Sequence, residues 1–237
     1  MKNATEFAKK FKSFRRKLPT VEVTAREQGV IGEVIYSHLL WNASTKQALS
    51  AYKKLIEAAV DFNDLRMNHV YETVELIGSN YPMAEERAKR MKAVLNTIYR
   101  REHGMHVNSL EGAGKREIRE YFDTLDGITP FVSGRVISIC YGVAAVPVDD
   151  RTLSHLIEQE IVHHASNIVE VTSWLGRQVK AAEVCEFHVS LHTWSDNRPE
   201  PKQSKSVETM TKKKVTKKAA SKKASRKTKT AKKSVTK

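Results

Sequence analysis

The most constraining stretch of the 237-residue sequence is 118–141, two apolar-faced segments joined by a turn that leaves room only for a tight reversal. Ile118, Tyr121 and Phe122 recur at helical spacing and run into Leu125-Asp126-Gly127-Ile128-Thr129. Pro130 opens a second helix, where its fixed φ suits the first turn and its missing N–H is not needed. Val132, Val136, Ile137, Ile139 and Cys140 then fall at the apolar spacing of that helix. Gly127 is the residue able to take a positive φ in so short a turn. Two helices joined in this way leave unpaired N–H groups at the start of the second. Those groups and the helix dipole both favour an anion, which makes the turn a phosphate-binding arrangement. A short apolar loop follows and ends in Val148-Asp149-Asp150-Arg151, where Asp149 is placed to cap the next helix.

The rest of the body reads as helix with short connections, no convincing strand and no internal repeat, so the expected fold class is all-α. Residues 1–26 form a basic amphipathic segment, with Phe7, Phe11 and Phe14 on one face of a helix and Lys2, Lys9, Lys10, Lys12, Arg15, Arg16 and Lys17 around them. The Phe stripe is expected to dock on the body, and the basic face to be able to meet a DNA backbone. The body is assigned to 27–200. Its helices are expected at 27–41, 45–61 behind an N-cap at Ser44, 64–78, and 82–103 from Pro82 to a stop at Gly104. A polar loop, 105–115, precedes the hairpin pair at 116–141. A second helical lobe from 150 carries helices over 150–165 and 166–185, and 186–201 is expected to lie across the body as a strap.

The formal charge of +14 is unevenly placed. Residues 202–237 hold 15 Lys or Arg and one acid, Glu208, which leaves 26 basic and 26 acidic residues in a formally neutral remainder. The high charge therefore says nothing of the folded body. The tail, 201–237, has almost nothing to bury and is expected to be disordered when free. Runs such as 216–223 resemble the C-terminal tails of linker histones. Lys212, Lys213, Lys214, Lys217, Lys218, Lys222 and Lys223 are expected to contact phosphate without regard to sequence. No apolar run approaches a membrane span, and the N-terminus lacks a secretory core. A soluble protein of the cytoplasm, or of the nucleoid or nucleus in association with DNA, is expected. Two cysteines, Cys140 and Cys185, exclude a disulfide framework.

The segment 125–136, LDGITPFVSGRV, followed by 146–156, VPVDDRTLSHL, resembles the helix–hairpin–helix and catalytic-aspartate region of the endonuclease III-like DNA glycosylases. Upstream, Leu39-Leu40-Trp41-Asn42-Ala43-Ser44-Thr45 resembles the family's first DNA-facing turn, and Ile77-Gly78-Ser79-Asn80-Tyr81-Pro82-Met83-Ala84 the turn that follows it. The resemblance spans residues of about 30–162. It implies a helical-bundle glycosylase fold, action on double-stranded DNA, and extrusion of a nucleotide into a pocket; the oligomeric state is left open, with a monomer expected. Asp149 would stabilise the positive charge that develops on the sugar and orient a water, with Asp150 the alternative one residue on. The hairpin would contact DNA through Gly127, Ile128, Thr129, Phe131 and Ser133, with Lys115, Arg116 and Arg135 as nearby cations. Asn42, Asn80 and Tyr81 lie where relatives fill the gap left by the base, and His38 and Trp41 join the expected pocket lining.

The departures from the family pattern carry chemistry too. Bifunctional members place a nucleophilic lysine where this chain has Phe131, which has no amine to form a Schiff base. A monofunctional glycosylase is therefore expected, and a catalytically inactive, chromosome-associated DNA-binding protein is the alternative. Thr129 stands at the hairpin's second glycine position. The four C-terminal cysteines of the family's iron–sulfur cluster are not there, so no cofactor is expected. His163-His164 and Cys185-x-x-His188-x-x-x-His192 carry ligand-type side chains but no paired motif, and no metal is expected.

Overall fold

The computed structural model describes residues 4–199. The α-helices are α1 Ala4–Arg15, α2 Gly29–Leu40, α3 Thr45–Ala58, α4 Phe62–Met67, α5 Val70–Ile77, α6 Ala84–Glu102, α7 Lys115–Asp123, α8 Pro130–Tyr141, α9 Asp150–Glu158, α10 Ile168–Gln178 and α11 Val184–Asp196. Single 3-10 turns sit at Asn108–Leu110 and Ala181–Glu183, and there is no strand among the described residues. None of these helices is long and apolar enough to cross a membrane. The tail lysines assigned to phosphate, Lys212 to Lys223, lie outside the described residues.

Several helix starts follow directly from capping chemistry. Ser44 accepts from the Gln47 N–H while the Gln47 side chain accepts from the Ser44 N–H, a capping box that starts α3. Thr129 caps α8 by accepting from the Val132 N–H, with Pro130 at the first helical position. Its φ of −105° is ordinary, so a threonine in place of glycine strains nothing here.

Five expected boundaries are corrected, the first being the helix expected over 166–185, which ends at Gln178 before a 3-10 turn and a separate α11. The helix expected over 64–78 is two, because Asn68 and His69 turn extended and the His69 N–H donates to the Glu72 carboxylate at 2.6 Å to start α5 anew. Helix α6 begins only after Met83, and His103 in the left-handed region, rather than Gly104, closes it. Helix α9 stops at Glu158, because Glu160 takes a φ of +53°. The Glu160 and Ile161 N–H groups then close back on the Ile157 and Leu156 carbonyls. Residues 186–196 are no strap: they form most of α11. Val184, Phe187, Leu191 and Trp194 recur there at three- and four-residue steps, and all are buried.

Two apolar cores divide the work. The first is built by α2 to α8 around Val34, Ile35, Leu39, Leu55, Leu95, Ile98, Phe122 and Val136. Helix α2 is its centre, buried continuously from Ile31 to Leu40. The second is built by α9, α10 and α11, and α1 belongs to it. Phe11 packs edge-on against Trp174 and Phe187 at 5.3 and 5.6 Å between ring centroids, and Phe14 against Trp194 at 4.8 Å. The Phe stripe of the N-terminal segment thus closes a lobe whose other helices lie at the far end of the described chain. Burying a phenylalanine ring contributes ~2–3 kcal/mol, enough for three such rings to hold α1 down.

Candidate functional site

The loop from α8 to α9 brings Asp149 to the junction of the two lobes. Its Oδ1 accepts from the Thr152 N–H at 2.8 Å, which is the N-cap of α9. Its Oδ2 accepts from the Asn42 N–H, also at 2.8 Å, across the lobe boundary. Asn42 has a φ of +53°, which a side chain able to bond nearby backbone tolerates best. Its Nδ2 donates to Asp150 and its Oδ1 accepts from the Arg151 N–H, both at 3.3 Å. One residue of the first lobe therefore ties down three consecutive residues of the second. Asp149 is 1% exposed, so its carboxylate is enclosed in this state.

A second tie lies beside it. Asp196, at the end of α11, accepts from the Thr45 N–H at 3.1 Å and pairs with Arg151 at 2.9 Å. Burial raises the Asp196 carboxyl, but the hydrogen bond and charge of His192 and the bonds from Thr45 outweigh it and hold the group at about 2. The third tie runs from Arg135 to His188 Nε2 at 3.0 Å, and within the first lobe Arg135 also forms a buried ion pair with Glu33 at 3.1 Å. Both partners of the pair are almost fully buried, so either charge alone would be left uncompensated in a poor solvent.

The turn 41–44 is braced from behind by Arg87, a residue not singled out from sequence. Its guanidinium donates to the carbonyls of His38, Leu39, Trp41 and Pro82, ending α2 where orphan carbonyls would otherwise remain. Burial brings Arg87 down to about 10, partly offset by the charges of Tyr81, Asp149 and Glu86. His38 beside it is fully buried, and neither ring nitrogen has a partner among the described residues. Burial, with Arg87 and Arg90 adding repulsion, lowers it to about 3, so it is neutral.

The hairpin itself is seated on α6. Gly127 has a φ of +84°, and a Cβ there would meet the Arg90 carbonyl at 2.7 Å and the Ala93 side chain at 2.9 Å. Ile128 N–H closes on the Leu125 carbonyl at 3.2 Å. Among the described residues no acceptor meets the N–H groups of Gly127 and Thr129, and Thr129 is itself buried.

The structure places the other expected contacts unequally. Asn80 is exposed, whereas Tyr81 is buried and donates to the Leu39 carbonyl at 2.8 Å; burial raises its hydroxyl to about 12. Thr129, Phe131, Ser133 and Arg135 are buried, so their side chains do not stand where contact with DNA was expected. Helix α8 packs against α2, α7 and α11 and is buried continuously from Phe131 to Ser138. Phe131 faces the rings of His188 and His192, and Ser133 donates to Asp123. Lys115 and Arg116 are exposed, but they start the nine-residue α7 while the hairpin follows its end, a separation of ~12 Å along the axis. His188 is lowered well below its ordinary value by burial and by Arg135. Cys185, His188 and His192 do not converge as a metal-ligand group among the described residues.

By sequence, no family model and no curated protein matches the chain. Solved structures do. A trapped endonuclease III–DNA covalent intermediate superposes with a TM-score of 0.60 at 16% identity, covering 85% of this chain and 87% of that one. The 8-oxoguanine glycosylase/lyase of Clostridium acetobutylicum, in complex with double-stranded DNA, gives 0.58 at 13% identity over 81% and 67%. A thermostable thymine-DNA glycosylase gives 0.54 at 16% identity over 81% and 85%. The chain has the all-helical fold of the helix–hairpin–helix DNA glycosylases.

Proposed function

We propose that the chain is a DNA-binding, base-excising N-glycosylase without lyase activity. The observation that carries this reading is the placement of Asp149. It caps α9 at the lobe junction, held by one backbone N–H from each lobe, with the hairpin and the Asn42 turn on the adjoining elements. A carboxylate so placed is suited to stabilise a sugar that develops positive charge, and to orient a water, once a nucleotide is extruded beside it. Phe131 supplies no amine, so the route is hydrolytic, with no covalent enzyme–sugar intermediate through that position. The hairpin amides of Gly127 and Thr129 hold a phosphate of the duplex. The chain acts as a monomer and needs no metal or iron–sulfur cluster. The Lys-rich residues from 202 onward tether it to DNA of any sequence.

One observation favours a second reading, a DNA-binding protein that no longer cleaves. Asp149 is enclosed, both its oxygens are engaged, and Phe131 fills the place of a nucleophile with packing. Excision therefore requires the Asn42 turn to yield when a nucleotide enters. The two readings separate on a panel of duplexes with damaged or mismatched bases, scored for base release and for strand nicking before and after alkali. The glycosylase reading expects base release that yields nicks only after alkali. Release from no substrate supports the silent binder. A borohydride-trapped adduct on any lysine of residues 4–199 would return the chain to the bifunctional class.

A further inference from the structure

The hairpin turn carries a carboxylate next to the residues expected to meet a phosphate. Asp126 immediately precedes Gly127, in the loop whose Gly127 and Thr129 N–H groups have no acceptor among the described residues. It is not left alone. Arg100, in the last turn of α6, reaches Asp126 Oδ2 at 3.0 Å and Thr97 Oγ1 at 3.1 Å, and Thr97 Oγ1 donates to the same carboxylate oxygen at 3.2 Å. The side chains of both charged partners are two-thirds exposed, 67% and 68%. Exposed pairs of this kind add little to stability. The hairpin has firmer anchors in any case. Arg101 donates to the Tyr121 and Thr124 carbonyls and to the Thr124 hydroxyl, and Gly127 is wedged against α6.

We propose that Arg100 is the cationic arm of the hairpin's phosphate site, and that Asp126 is its built-in counter-ion, exchanged for a DNA phosphodiester when the duplex binds. This rests on the reading of the hairpin as a DNA contact. In the free protein the guanidinium is already compensated, so the site attracts a passing phosphate only weakly. In the complex the Arg100 side chain swings from the carboxylate to a phosphate, and Asp126 is left facing a like charge. Asp126 is thus a brake on sequence-blind affinity, and the C-terminal turn of α6 is part of the interface.

The sign of the effects distinguishes this exchange from a mere staple. Full-length protein and its Asp126→Asn and Arg100→Gln variants are titrated onto a labelled, undamaged duplex at several salt concentrations. Asp126→Asn should tighten binding about threefold, and Arg100→Gln should weaken it about threefold, as expected for single charges in a solvated site. Arg100→Gln should also lower the slope of log affinity against log salt by about one. The tail contributes the same background to all three proteins, so the differences are what is read. If both variants weaken binding, the pair only fastens the hairpin and the exchange is wrong. Equal affinity of all three proteins overturns it as well. Amide resonances of Gly127 and Thr129 in the unaltered protein report the underlying contact. If they shift with duplex while the variants bind as the parent does, the exchange alone fails. If they do not shift, the hairpin reading fails and the exchange falls with it.

Discussion

At the scale of single residues, the proposed role asks two things of Asp149 that ordinarily conflict: a fixed position and an available charge. Its two accepted N–H bonds accomplish the first. In Asp149→Asn one side-chain position turns from acceptor to donor and opposes a backbone N–H. We therefore expect a loss of ~1–2 kcal/mol in denaturant unfolding together with abolished base release, while DNA affinity holds or rises. Turnover at the parent rate on any substrate found would remove Asp149 from the chemistry. His38 carries a different cost. It is lowered to about 3 in the folded protein, against an ordinary value of 6.5. The unfolded chain therefore takes up a proton below about pH 6.5 that the folded one refuses, and stability falls as pH drops through that window toward about 3. The slope for one such proton is ~1.4 kcal/mol per pH unit. His188 acts in the same direction. Urea midpoints taken from pH 7 to pH 5 should decline, and His38→Leu should flatten that decline. A variant with the parent's slope would show that His38 is not the group refusing the proton.

At the scale of elements, the hairpin is determined as much by α6 as by its own residues. Its Gly127 is required twice over, by a φ of +84° and by the 2.7 Å that a Cβ would leave to the Arg90 carbonyl. Gly127→Ala should cost ~2 kcal/mol or more, since the turn must shift off α6 or strain. It should also weaken duplex binding, because the amides of 127 and 129 move with the turn. A thermal midpoint equal to the parent's would mean that the hairpin is not held against α6 as described. Helix α1 illustrates the opposite case, an element whose role follows from its own spacing. Phe7, Phe11 and Phe14 on one stripe demand an apolar partner, and the second core supplies Trp174, Phe187 and Trp194.

At the scale of the whole molecule, charge and shape are separated. The body to residue 201 is formally neutral, and the excess of +14 lies beyond it. Neutralised phosphates set the salt dependence of binding. Removing residues 202–237 should therefore flatten the slope of log affinity against log salt and weaken binding to undamaged DNA of any sequence. Any preference for a damaged base should remain, since it would reside beside Asp149. An unchanged slope in salt titrations of the full-length and shortened proteins would point to an acidic protein partner for the tail instead. The two lobes, for their part, are joined by polar ties at the site itself: Asn42 to Asp149, Thr45 to Asp196, and Arg135 to His188. A change at the site is thereby a change at the lobe boundary.

Local signals in the sequence determined the helical class, the hairpin, the caps at Ser44 and Asp149, and the Phe stripe of α1. Each depends on residues within one or two turns of one another, so spacing and side-chain type suffice. Tertiary structure alone decided which faces of α8 are covered. Phe131, Ser133 and Arg135 look available beside a DNA-facing turn, but α2, α7 and α11 enclose them. The partners of Arg135 are Glu33 and His188, far away in the chain, and no local pattern encodes such a pairing. A lone acid within the apolar run 29–36 was the one hint of it. Arg87 was equally illegible, since a charged residue in a long polar helix reads as solvent-facing until the orphan carbonyls that end α2 are seen to need it. The stop of α9 was hidden because a glutamate, Glu160, takes the left-handed position that glycine usually marks.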